Sequence, residues 1–342
     1  MRHSDSHPKI LIIPARRHIL EAYCEYLIRY LSDEFYFEMG YPPAPPYDNI
    51  RERVYGGSAS PLNKNPDEFD LIYPHFTTHF FLEPSDKYFH KIALVFLEPG
   101  SWQGDKAVIA GTSKLIEEGF GDNPYHSLRF GVDTEMFKPY PMARTDDLLH
   151  VGFLGNIMTP RRYINELFMQ LKDIPGIRLM VFPTVWHPHT RTDEIDLMGG
   201  QDLINAVVDG DKWYPGLPNL YNQMDIFIRC DINAGYQFSI MEAGACGVPV
   251  ITCDPGLGKE FCENGGGIYV DNGTGGWEPE NLAKIAKEIR DAVRDLRDNH
   301  IKREDMGIKG RKFIEENWTW DKFIPAWREF FKEGLANAVQ NM

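Results

Sequence analysis

Hydrophobic positions fall into two recurring patterns along the chain. Short unbroken apolar runs occur at Lys9–Pro14, Phe69–Tyr73, Lys91–Glu98, Val108–Ala110, His150–Leu154, Arg178–Pro183, Asp225–Arg229, Val248–Thr252 and Gly265–Val270. Runs this short that do not alternate with polar residues are the mark of strands buried on both faces, as in a parallel sheet. Between them lie stretches with a helical period. Ile19, Leu20, Tyr23, Tyr26, Leu27 and Leu31 line one face of a helix over Arg16–Ser32. Leu282, Ile285, Ile289, Val293 and Leu296 do the same over Glu280–Arg297. Phe35–Met39 reads as a further strand, and Leu217–Met224 and residues 321–335 read as helices. Trp327, Phe330 and Phe331 form the packing face of the last. Strand and helix in alternation predict an α/β architecture with parallel sheets. Residues 41–65 are rich in Pro, Gly, Ser and Asn and read as a loop, and Pro255–Glu260 reads as a turn.

Length and charge narrow the picture. A chain of 342 residues is too long for one ordinary core and suggests two domains. Fifty acidic residues against 36 basic ones give a net charge of −14. Nucleic-acid binding needs a basic footprint, so a polyanion partner is disfavoured. No apolar run approaches the ~18 residues that would cross a bilayer. Met1–Pro8 is polar and lacks the apolar core of a secretory signal. The five cysteines, Cys24, Cys230, Cys246, Cys253 and Cys262, are odd in number and show no metal-type spacing. They read as buried free thiols in a reducing compartment, so the expected location is cytoplasmic, with peripheral contact at the inner membrane face left open.

The stretch from Asn233 to Asp254 carries the chemistry. Gly235, Tyr236, Gln237 and Phe238 read as a loop, and Ser239 as the cap of a helix running through Glu242 and Ala243. Pro249 ends the helical region and the β-branched run after it is a strand. A loop that feeds a helix offers unpaired N–H groups and the positive end of the helix dipole, which suits a phosphate. One turn further in, the Glu242 carboxylate can reach a hydroxyl of the same ligand. A nucleotide sugar has a diphosphate and a ribose at about that separation.

These residues resemble the donor-site signature of retaining glycosyltransferases of family 4, which have the GT-B fold. The family pattern is Glu-Gly-Phe-Gly-Leu/Phe-x-x-x-Glu-Ala-x-Ala-x-Gly-x-Pro-Val-Ile. Gly235, Phe238, Glu242, Ala243, Ala245, Gly247, Pro249, Val250 and Ile251 match it. Ala234 stands in place of the first glutamate, and Gln237 in place of the second loop glycine. Gly131–Pro139 is similar to the family's Gly-Val-Asp-x-x-x-Phe-x-Pro linker. Asp70, Leu71, Ile72, Tyr73 and His75 align with its Asp-Val-Ile-His-x-His. Gly155 ends a strand where the family has a glycine followed by an arginine and, five residues later, a lysine. Asn156 replaces that arginine and Arg161 falls at the lysine, with Arg162 as the alternative.

The resemblance implies two Rossmann-like domains facing a cleft. Residues 8–142 would form the acceptor-side domain and 148–320 the nucleotide-sugar domain, with a helix over 321–342 returning to the first. It implies transfer of a sugar from a nucleotide-diphosphate donor to a hydroxyl acceptor (a sugar, a lipid-linked group or a small molecule), with retention of configuration. Glu242 would hold the ribose. Arg161 or Arg162 would neutralise the departing diphosphate, so no metal and no cofactor are expected. The backbone around Gly235–Ser239 would hold the donor, and His75 would contact the reacting centre. On the acceptor side stand Arg16, Arg17, His79 and Trp102. The departures at Ala234, Gln237 and Asn156 keep two alternatives: a non-catalytic nucleotide-sugar binder and a GT-B epimerase acting in the same site.

Overall fold

The computed structural model describes residues 7–13, 19–40, 63–74, 88–96, 108–112, 117, 124–142, 146–155, 167, 170–183, 213–230, 236–273 and 278–341. The chain divides into two compact units. One comprises residues 1–130 with 320–342, the other residues 131–319.

In the first unit, β1 (Lys9–Ile13) leads into α1 (Ile19–Leu31), followed by β2 (Tyr36–Met39) and β3 (Leu71–Pro74). β2 and β3 flank β1, both parallel to it. A second parallel ribbon holds β4 (Ala93–Phe96), β5 (Val108–Gly111) and β6 (His126–Ser127) in that order. A parallel bridge from Ile72 to Ile92 joins the ribbons. Leu11, Ile13, Ile72, Leu94 and Ile109 pack into one cluster across both. All four residues of β3 and of β4 are buried, so the unbroken apolar runs do mark strands covered on both faces.

The second unit is built on a five-stranded parallel sheet. Its strands are β7 (Leu149–Gly155), β8 (Ile177–Pro183), β9 (Ile226–Arg229), β10 (Val250–Thr252) and β11 (Gly267–Tyr269), arranged β11-β10-β9-β7-β8. From β7 the chain steps outward to β8 on one side, then returns to lay β9, β10 and β11 on the other. The strand order therefore reverses between β7 and β9. In open α/β sheets the crevice at the carboxyl ends of such a pair is where ligands bind.

Helices that cover or edge the sheet of this unit include α2 (Trp213–Tyr221), α3 (Phe238–Ala245), α4 (Leu257–Glu263), α5 (Pro279–Asp298) and α6 (His300–Asn317). The 3.6-residue stripe of α5 is its buried face, with Ile285, Ile289, Val293 and Leu296 fully enclosed. Two expectations are corrected. Residues 257–263 are helix rather than turn, because Asp254 accepts the Gly258 N–H at 2.6 Å and its own carbonyl accepts that of Lys259. The helix carrying Glu242 is capped by Gln237, not Ser239. The Gln237 carbonyl accepts the Ile240 N–H at 3.1 Å, so the first turn closes two residues earlier and Ser239 lies inside it.

After residue 319 the chain contributes α7 (Trp320–Gln340) to the first unit. Trp327, Phe330 and Phe331 are fully buried there. Tyr26 stacks on Trp320 with centroids 5.3 Å apart, and the Trp327 indole N–H donates to the Arg129 carbonyl at 2.8 Å. All five cysteines are free thiols, four of them buried.

Candidate functional site

The parallel sheet of the second unit sets the geometry. β7, β9 and β10 run in one direction, so Gly155, Arg229 and Thr252 lie at the same edge. A helix that follows a strand in such a sheet starts at this carboxyl edge, and α3 starts here, after β9. Residues 231–235, which complete the connection, fall outside the described residues, and so does Gly235.

α3 is buried along its whole length, from Phe238 to Ala245. That follows from its sequence: Ala243, Gly244 and Ala245 are small enough for close packing, and a Cβ on Gly244 would stand 2.6 Å from the Phe261 ring. Its N-cap residue Gln237 is buried, yet its side chain makes no capping bond to the helix. Tyr236 is buried against Phe238, ring centroids 4.8 Å apart.

Glu242 lies one turn inside α3 and has 0% exposure. Its Oε2 accepts a hydrogen bond from the Tyr221 hydroxyl at 2.7 Å. Tyr221 is the last residue of α2, fully buried between Phe137 and Phe227. Burial, and then the neighbouring carboxylate, hold the Tyr221 phenol well above its ordinary pKa, while the Arg229 guanidinium pulls the other way. A buried carboxylate needs such donors, since an ionised group without them is costly to enclose. Sequence reasoning placed Tyr221 on a helix but gave it no role. Its partner is 21 residues away, and no local pattern links the two.

Arg229, at the end of β9, reaches in two directions. Its Nε donates to the Gln237 side-chain oxygen at 2.8 Å, and one Nη to the Leu154 carbonyl at 3.4 Å. The far end of α3 is held by another arginine. Arg311 of α6 donates to the carbonyls of Ala245 at 2.6 Å, Phe137 at 2.5 Å and Thr134 at 3.0 Å. It thereby satisfies a helix-end carbonyl and ties the 133–137 turn to α3.

Of the residues expected to act, Gly155, Tyr236, Gln237, Phe238, Ser239 and Glu242 are thus gathered near one edge of one sheet and the helix that starts there. His75, His79, Arg16, Arg17, Trp102, Asn156, Arg161 and Arg162 lie outside the described residues.

With this geometry in view, comparison with known proteins places the second unit. Residues 150–295 match the family model described as glycosyl transferases group 1. Two curated relatives align with more of the chain. A GDP-mannose-dependent monoacylated alpha-(1-6)-phosphatidylinositol monomannoside mannosyltransferase of Corynebacterium glutamicum is 24% identical over 254 residues, 67% of this chain and 60% of its own length. The capsular polysaccharide biosynthesis glycosyltransferase CapM of Staphylococcus aureus is 25% identical over 235 residues, 66% of this chain and 58% of its own. The chain thus spans about three fifths of the length of the curated relatives it matches. Among solved structures, sucrose-phosphate synthase of Thermosynechococcus elongatus superposes with a TM-score of 0.70 at 14% identity, covering 96% of this chain and all of that one. Anabaena HepE, solved in complex with UDP-glucose, gives 0.65 at 12% identity, covering 98% of this chain and 100% of its own. At such identities these likenesses concern the fold, and that fold is GT-B, α/β with parallel sheets in both units.

Proposed function

We propose that the protein is a glycosyltransferase that moves a sugar from a nucleotide-diphosphate sugar to a hydroxyl acceptor, with retention of configuration. The observation that carries this reading is the convergence at the β7/β9 reversal: a strand ending in glycine, the start of α3, and a buried carboxylate one turn inside that helix. Backbone N–H groups at a helix start suit a diphosphate, and a carboxylate suits the diol of a ribose. The curated relatives are a mannosyltransferase that depends on GDP-mannose and a capsular polysaccharide glycosyltransferase, and the HepE structure contains UDP-glucose. A nucleotide-sugar donor and a sugar or glycolipid acceptor fit that company.

In this reading Glu242 holds the ribose. Because it is fully enclosed and shared with Tyr221, a ribose hydroxyl reaches it only after a local shift of its cover. The backbone of Gly235–Ser239 receives the donor. Arg161 or Arg162 stabilises the diphosphate as negative charge develops on it, an electrostatic role that needs no metal. His75 contacts the reacting centre, with Arg16, Arg17, His79 and Trp102 on the acceptor side.

The test is ligand-dependent thermal stability, followed by product analysis. A nucleotide that binds only the folded chain must raise the melting temperature. One diphosphate nucleotide and its sugar conjugate should raise it, and Glu242→Ala should weaken that binding. Incubation with the stabilising donor and a panel of hydroxyl acceptors should then yield a glycoside. Binding without turnover would favour the non-catalytic binder, an altered sugar on an intact diphosphate the epimerase, and no shift with any nucleotide would end the donor-site reading.

A further inference from the structure

Arg229 bridges two segments at the carboxyl edge of the sheet. It ends β9, on the side of the sheet's strand reversal where β7 is the neighbour. Its guanidinium donates to the Leu154 carbonyl, one residue before the end of β7, and to the Gln237 side chain, the N-cap of α3. It therefore joins the two chain segments that frame the carboxyl edge at the reversal. Gln237 is 3% exposed, and its side chain does not turn back onto α3. A buried amide oxygen must be satisfied somewhere. Here the guanidinium satisfies it, and the first N–H groups of α3 receive no cap from that side chain.

We propose that Arg229 is a positioning residue for the donor diphosphate. It fixes the distance between the end of β7 and the start of α3, and it holds the Gln237 side chain off the helix N-terminus. The inference rests on the donor-site reading above and adds a residue to it. A guanidinium suits this task because its N–H groups point in fixed, divergent directions, so one side chain spans two acceptors. A lysine at 229 would keep the charge, but a single ammonium on a flexible stem does not hold both segments at once. The clamp and a simple charge effect are thereby separable.

The experiment measures affinity for nucleoside diphosphates and monophosphates (uridine, guanosine and adenosine series) by titration calorimetry. The proteins are wild type, Arg229→Ala, Arg229→Lys, Gln237→Ala and the Arg229→Ala/Gln237→Ala double variant, each with its ligand-free melting temperature. Loss of a hydrogen bond to a charged group corresponds to roughly a tenfold change or more in affinity. Arg229→Ala should weaken the preferred diphosphate by that factor while changing the monophosphate by less than about threefold. Arg229→Lys should recover little, and the double variant should be no worse than Arg229→Ala, because the two side chains act as one unit. If Arg229→Ala does not fold, Arg229→Lys and Gln237→Ala decide the question. Wild-type affinity in Arg229→Lys, equal losses for mono- and diphosphate, or unchanged binding in Gln237→Ala would each overturn the clamp and leave the donor site standing. Absence of nucleotide binding by wild type would overturn the donor-site reading, and the clamp with it.

Discussion

At the scale of single residues, the informative side chains are polar groups enclosed by the second unit. Glu242 and Tyr221 are both fully buried, and the phenol is a donor to the carboxylate. Removing that hydroxyl leaves a buried carboxylate short of a donor, which costs about 1–3 kcal/mol. Tyr221→Phe keeps the ring against Phe137 and Phe227 and removes only the oxygen. Urea unfolding at neutral pH should show the variant less stable by that amount. The pH dependence gives a second signature. The Tyr221 pKa is raised in the folded chain, chiefly by burial. Its contribution is therefore fully present below the unfolded phenol pKa of about 10 and is lost as pH rises above it. The gap between wild type and Tyr221→Phe should narrow above that pH. A gap that is constant or widening would mean that the phenol is not what the carboxylate depends on. Arg229 belongs to the same scale. In the sequence it is merely the last residue of a strand, and its two acceptors lie 8 and 75 positions away. A one-dimensional pattern cannot display such a contact.

At the scale of elements, the reading of the sequence succeeds where one physical signal dominates and fails where burial is achieved by the absence of a side chain. The central strands of the parallel sheets, such as β1, β3, β4 and β10, were legible because both faces are covered and the runs are apolar, whereas the short polar β6 offered no such run and was not read. α5 was legible because its stripe is long and regular. The first part of α6 was not. Its enclosed face there consists of Gly307 and Gly310, joined by Ile314 further on, which leaves no apolar period to read. The start of α3 was displaced because Gln237 carries no capping signal, and α4 was missed because its N-cap is Gly256, while the carboxylate that accepts the Gly258 N–H, Asp254, lies two residues before that cap. The glycines of α6 have a specific reason. A Cβ at Gly307 would stand 2.3 Å from the Gly247 carbonyl oxygen, a backbone atom that cannot simply rotate away. Gly247 itself has φ +73, in the left-handed region that other residues disfavour, so the turn ending α3 cannot readily adjust. Gly307→Ala should force α6 and α3 apart and cost about 1–3 kcal/mol, the usual range for overpacking a closed interface. Because Arg311 on the same helix ties Ala245 and the 133–137 turn, hydrogen exchange should accelerate in that turn as well. A variant as stable as wild type, with unchanged exchange there, would show that the α3–α6 contact has slack.

At the scale of the molecule, residues 320–342 belong to the same unit as residues 1–130, and the first unit depends on them. Trp320, Ile324, Trp327, Phe330 and Phe331 are all buried in it. At about 1.5–3 kcal/mol for each large apolar side chain removed from water, these five contribute on the order of 10 kcal/mol. That equals the whole stability of a typical domain. Polar contacts add direction: Arg328 and Lys332 meet Glu34, and the Asn337 side chain donates to the His90 carbonyl at 2.9 Å. Tyr73, in β3, packs its ring edge-on against both Trp327 and Phe331, centroids 5.7 Å away in each case. A chain ended at Thr319 should therefore lose the first unit and keep the second. The second sheet draws none of its strands from beyond residue 319, and its core cluster, from Leu149 to Leu296, is complete without α7. Hydrogen exchange of the shortened chain should show β1 and β3 unprotected while β7, β9 and β10 keep their protection. If the donor site resides in the second unit, as proposed, nucleotide binding should persist although sugar transfer is lost. Uniform loss of protection would show instead that the two units fold as one, and binding would then disappear together with the structure of β1.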